Sequence, residues 1–131
     1  MPVDILAVWT IHSAERILYL GDNSSNPDLL PGTLYMMVLR TLTQGPLHGY
    51  AIAKHIHQWS KGGLEIEDGS LYPALNRMLL KGWVKAEWGV TETNRKARLY
   101  RLTPAGRKQL EAESSAFNRM VRAIQLVMRT S

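Results

Sequence analysis

Two clusters of side chains in this chain have the types and spacing to act on a charged or base-bearing partner. The first lies in "EDGSLYPALNRMLLKGW", Glu67 to Trp83, where Ser70, Tyr72, Pro73, Asn76 and Arg77 follow closely on one another. An asparagine amide can pair with adenine, and an arginine guanidinium with guanine or with phosphate. The second is "NRKAR", which places Asn94, Arg95, Lys96 and Arg98 together. Such a basic run suits phosphate or the minor groove, contacts that set affinity more than specificity. His48 and His55 are seven residues apart and His57 lies close by, but no carboxylate or thiol stands beside them at metal spacing. No metal site, catalytic site or cofactor is therefore expected.

These groups form a site only if their elements place them together, and Pro73 bears on that. Leu71, Leu75, Met78 and Leu79 repeat at helical spacing with Pro73 among them. Proline donates no amide hydrogen and clashes with the carbonyl four residues back, so it suits a helix's first turn. The helix is expected to start near Gly69 or Ser70, capped by Ser70 or Asp68. Tyr72 and Pro73 then sit at its N-terminal tip, the part of a helix-turn-helix that enters the major groove. Asn76 and Arg77 follow one turn on. Tyr72 has a second reading, as a core aromatic with a satisfied hydroxyl, and Arg77 one as a solvated charge. For Ser70 a cap and a phosphate contact are compatible. Lys54 and Lys61 read as solvated.

Other elements follow from periodicity. "PGTLYMMVLRTLTQGP" is apolar on nearly every side, with Leu34, Met37, Val38, Thr41 and Leu42 on one face. Such a helix is expected to be buried by more than its own domain. Gly45-Pro46 stops it, and a second helix follows with Ile52, Ala53, Ile56 and Trp59 inward, ended by Gly62-Gly63. Leu64 to Glu67 alternates like a very short strand. "WVKAEWG" puts Val84, Ala86 and Trp88 on one side, and "RLYRLT" puts Tyr100 and Leu102 inward, so the two predict a β-hairpin across "VTETNRKA". Thr103-Pro104 is a strong start for a helix running to about Arg129. The expected fold is mainly α with a small β-hairpin: a winged helix-turn-helix plus a C-terminal helix.

Composition agrees with this. The 131 residues are 45% hydrophobic, with no cysteine and a formal charge of +5. No run reaches the roughly 18 uncharged apolar residues of a membrane span. The first charge is Asp4, unlike a secretory signal, so a cytoplasmic location is expected. Residues 1–43 carry four acids and two bases; residues 44–103 carry nine bases and five acids, and residues 104–131 five bases and two acids. The excess of positive charge sits in the middle and the tail, the footprint of a nucleic-acid binder, though a solvated basic face has the same composition. "GDNSSNP", Gly21 to Pro27, reads as a linker after a stretch at 5–20 that could be helical. The expected divisions are an extension and linker at 1–27, a winged domain at 28–103 and a dimerisation helix at 104–131.

"GPLHGYAIAKHI", "EDGSLYPALNRMLLKGWV" and "ARLYRLTPAGRKQL" together resemble the PadR family of bacterial transcriptional regulators, from about Leu29 onward. The resemblance implies a winged-helix dimer that represses nearby genes and releases DNA on a small-molecule or stress signal. With one long helix after the wing, the chain looks like the short-tailed type.

Along that helix Leu110, Phe117 and Ile124 recur every seven residues, with Met120, Val121, Val127 and Met128 widening the stripe. The helix is expected to pack on a partner's helices, including Leu34, Met37 and Val38, giving a twofold dimer on a near-palindromic duplex. Phe117 either packs in that interface or, with Met120, lines a pocket for a small hydrophobic effector, as the resemblance suggests. A winged helix that binds only protein is the alternative function.

Overall fold

The computed structural model describes residues 32–130. The expected N-terminal extension, linker and first-helix readings at 1–27 lie outside the described residues. Four helices and a small sheet follow one another: α1 (Thr33–Leu42), β1 (Leu47–His48), α2 (Gly49–Trp59), α3 (Asp68–Leu80), β2 (Val84–Val90), β3 (Lys96–Leu102) and α4 (Pro104–Arg129). The sheet is antiparallel in the order β1-β3-β2, with Val84 opposite Leu102 and Trp88 opposite Arg98.

The core forms where the apolar stripes of α1, α2 and α3 meet the base of the hairpin. Val38, Leu39, Ile52, Leu71, Ala74, Leu75 and Met78 are fully enclosed, and Tyr35, Val84 and Tyr100 nearly so. Tyr35 closes the corner by meeting Trp83 edge-on, ring centroids 5.5 Å apart.

α4 begins as Thr103-Pro104 predicts. The Thr103 hydroxyl accepts from the Gly106 amide at 3.0 Å and donates to the Gly82 carbonyl at 2.7 Å, tying the helix start to the end of α3. Gly106 lies so close to the Trp83 carbonyl that any side chain there would collide with it.

Several expectations are corrected. Leu34, Val38 and Leu110, assigned by their spacing to a subunit interface, are 8%, 0% and 8% exposed within a single chain, so they offer almost no surface to a partner. The first half of α4 packs on α1 and completes this chain's own core, which is why α1 can be apolar all round. The short strand is Leu47–His48, paired with Tyr100 and Leu99, rather than Leu64 to Glu67. Ile66 from that segment is buried as a core side chain without strand pairing. Trp59, expected inward on α2, is half exposed, its ring 5.2 Å from His55.

Candidate nucleic-acid interface

α3 starts at Asp68, earlier than Pro73 implied. Glu67 is its N-cap without a side-chain cap bond, so neither Ser70 nor Asp68 caps the helix. Asp68 instead lies in the first turn, where a carboxylate favours the positive end of the helix dipole. The Ser70 and Leu71 amides both reach the Glu67 carbonyl, at 3.0 and 2.9 Å. Pro73 is therefore in the second turn, and it is the Gly69 carbonyl that it cannot serve.

Burial divides α3 into two sides. Leu71, Ala74, Leu75 and Met78 face the core, while Gly69, Tyr72, Asn76 and Leu80 form the exposed stripe opposite, with Ser70 and Pro73 half-buried beside it. Asn76 is thus where the spacing put it. Leu80 at 88% exposure was not expected on that stripe.

Tyr72 combines both of its readings. It keeps 40% of its surface exposed, yet its ring lies across Gly49 at the start of α2: a Cβ on Gly49 would come within 2.6 Å of the hydroxyl oxygen. Only glycine leaves room for this contact. Partial burial raises the Tyr72 hydroxyl above its usual pKa of 10.0, and the nearby Asp68 carboxylate and Tyr100 push the same way, so the phenol stays protonated.

Arg77 is turned inward. Its guanidinium sits 5.6 Å from the centre of the Tyr35 ring on α1, and the residue is half-buried. The arginine therefore sits between α3 and α1 rather than on the exposed stripe with Asn76.

The hairpin carries the second cluster. Its turn is held by the Thr91 amide donating to the Arg95 carbonyl at 2.8 Å and the Asn94 amide to the Thr91 carbonyl at 2.9 Å. The Thr91 hydroxyl accepts from the Arg95 amide at 3.2 Å. Asn94 has φ of 59°, left-handed backbone that asparagine tolerates, so it shapes the turn. Arg95, Lys96 and Arg98 are all exposed. Trp88, expected on one side with Val84 and Ala86, is on their side of the sheet but 69% exposed, because the hairpin runs on past the core. The Lys96 ammonium lies over its ring, 5.4 Å from the centroid.

His48 and His57 have structural roles. His48 caps α2, its Nδ1 accepting from the Ala51 amide at 3.2 Å, and His57 Nδ1 lies 3.3 Å from the Leu64 carbonyl. No group of three possible metal ligands occurs among the described residues. Nor is any described helix long and apolar enough to cross a membrane. Beyond the core, α4 leaves Phe117, Met120 and Val121 half-buried and Ile124, Leu126, Val127 and Met128 exposed.

Two short helices packed at their N-terminal ends through Gly49 and Tyr72, followed by a hairpin, define a winged helix-turn-helix. The model of the "Transcriptional regulator PadR-like family" matches residues 38–112, and the chain belongs to that family. It is 30% identical over 87 residues to the transcriptional regulator Rv3488 of Mycobacterium tuberculosis, covering 66% of this chain and 78% of that one. A 37.1 kDa transposon protein of Streptomyces fradiae is 44% identical over 85 residues, 65% of this chain but only 23% of its own length. Among solved structures, a PadR family regulator from Eggerthella lenta is similar at TM-score 0.65 and 25% identity, covering 96% of this chain and 99% of that one. A transcriptional regulator from Thermoplasma acidophilum is similar at TM-score 0.64 and 28% identity, covering 88% and 98%. The Mycobacterium, Eggerthella and Thermoplasma proteins are regulators of transcription.

Proposed function

We propose that the protein binds a near-palindromic DNA duplex as a homodimer and represses transcription until a small-molecule or stress signal releases it. The observation that carries the DNA-binding part is the exposed stripe of α3, with Tyr72 and Asn76, standing beside a hairpin whose turn and returning strand expose Arg95, Lys96 and Arg98. In this reading α3 enters the major groove, Asn76 pairs with a base, and Ser70, Tyr72 and Pro73 lie where the helix tip meets the strand. Arg95, Lys96 and Arg98 neutralise phosphates, Asn94 sets the turn that presents them, and Arg77 is left to packing.

The dimer is supported by the outer half of α4, where Ile124 and Val127 are 47% and 70% exposed. Phe117, Met120 and Val121 continue that surface inward, and Met37 lies at its base near Leu110, half-buried. Repression and release by a small hydrophobic effector rest on the family resemblance, with Phe117 and Met120 as the pocket residues it suggests.

Salt dependence tests the reading. Four phosphates per subunit would give a slope of log K against log salt near −7. With Arg77 inward, three per subunit in a dimer give a slope of about −5, or roughly three decades of affinity between 50 and 200 mM salt. Gel shifts with the protein's own upstream DNA measure it, and a slope near zero would overturn DNA binding in favour of a protein-only module.

A further inference from the structure

We propose that Trp88 is a DNA-contacting residue, its indole packing on the sugar-phosphate strand between phosphates held by Lys96 and Arg98. This rests on the DNA-binding reading above and adds a neutral, apolar contact to it.

The two faces of the hairpin differ in a way that identifies which one meets a polyanion. On one face stand Val84, Ala86, Trp88 and Val90 of β2, opposite Leu102, Tyr100, Arg98 and Lys96 of β3. That face carries two cations and no carboxylate. On the other, Lys85 and Arg101 stand with Glu87, which pairs with Arg101 at 2.7 Å, so that face carries a carboxylate and is left with one cation unmatched, Lys85. Glu92 lies in the turn, outside both ladders.

The first face is also continuous with the tip of α3. Tyr100 is buried beside Tyr72, and each two-residue step outward from it advances about 6.8 Å along the strand. One step out are Trp88 and Arg98, and two steps out are Val90 and Lys96. A surface that is core at its base thus becomes an aromatic and cationic ledge running away from the reading helix. Trp88 and Val90 are 69% and 63% exposed on it, and the Lys96 ammonium rests over the indole rather than over a carboxylate.

Duplex bases are stacked, so their faces are closed to an indole. The apolar flank of a deoxyribose is open, and the indole N–H can donate to a phosphate oxygen at the same time.

The test uses the full chain and labelled duplex from its own upstream region. Trp88→Ala should weaken binding about tenfold at every salt concentration, roughly the effect of burying 60 Å² of apolar surface. Its salt slope should equal the wild type's, because a neutral ring displaces no counterion, whereas Lys96→Gln should flatten the slope by about 2 for a dimer. Arg101→Gln, on the opposite face, should leave both nearly unchanged. The exposed position predicts that Trp88→Ala melts like the wild type. Independently, duplex should quench the wild type's tryptophan emission, and Trp88→Phe should lose most of that change. If the wild type binds duplex and Trp88→Ala binds equally well, the ledge is refuted while the DNA-binding reading stands. Failure of the wild type to bind duplex at 50 mM salt overturns both. Preference for single-stranded DNA that depends on Trp88 would also overturn the proposal, since it would make the indole a base-stacking platform.

Discussion

Asn76 and Arg77 are neighbours in sequence with opposite surroundings, and their substitutions should separate base reading from packing. Asn76 is on the exposed stripe of α3, where a lost amide pair with a base costs about 1–3 kcal/mol of discrimination. Asn76→Ala should therefore narrow the affinity gap between operator and unrelated duplex and leave the salt slope as it was. Equal loss on both duplexes would show that the residue does not read sequence. Arg77 lies over Tyr35 with its stem half-buried. Arg77→Ala should cost about 1 kcal/mol of folding stability, lowering Tm by several degrees, again with little change in salt slope. A slope flattened by about 2 with Tm unchanged would return Arg77 to the phosphate backbone.

Pro73 belongs to the scale of the element, because what it alters is the second turn of α3. Restoring an amide hydrogen there gives the Gly69 carbonyl a partner, so Pro73→Ala should raise stability by about 1–2 kcal/mol, less than the cost of proline deep in a helix. It should also weaken DNA binding by freeing the turn that aims Tyr72 and Asn76. A fall in Tm in thermal melts would mean that the half-buried ring contributes more by packing than the missing bond costs. The four described helices and the hairpin were legible because their apolar residues repeat over several turns or strand steps. β1 was not, since two residues hold no period. Alternation puts Trp88 on the same side of the sheet as Val84 and Ala86 but cannot say where the core stops, so its exposure was not legible. In the same way the seven-residue stripe of α4 was visible, while its partner was not: Leu110 turns out to fill the space against α1, and only the residues beyond it reach outward. Tyr72 was undecidable in sequence because its position depends on Gly49, which is remote along the chain and has no side chain to announce the contact.

For the whole molecule the decisive surface is the outer end of α4. Within one chain α4 has a covered half and an uncovered half, with Ile124, Leu126, Val127 and Met128 between 47% and 77% exposed. Exposed apolar groups of that size on one helix are unusual for a monomer and suit an isologous contact, in which the same residues meet across a twofold axis. The same axis would set two copies of α3 on one side, so assembly and operator binding should fail together. The expected species at micromolar concentration has a mass of about 30 kDa, twice the 14.8 kDa chain, by light scattering. Ile124→Glu with Val127→Glu should shift it to monomer, because four carboxylates would then face one another across the axis with no described cation committed to them. Neither residue belongs to this chain's own core, so the monomer should keep its fold and its α-helical signal. Its affinity for a full palindromic site should drop steeply and its salt slope should halve, from about −5 to between −2 and −3, as one subunit's three cations replace two subunits' six. A variant that is monomeric yet keeps the full slope would show that each subunit contacts twice as many phosphates as its exposed hairpin cations account for.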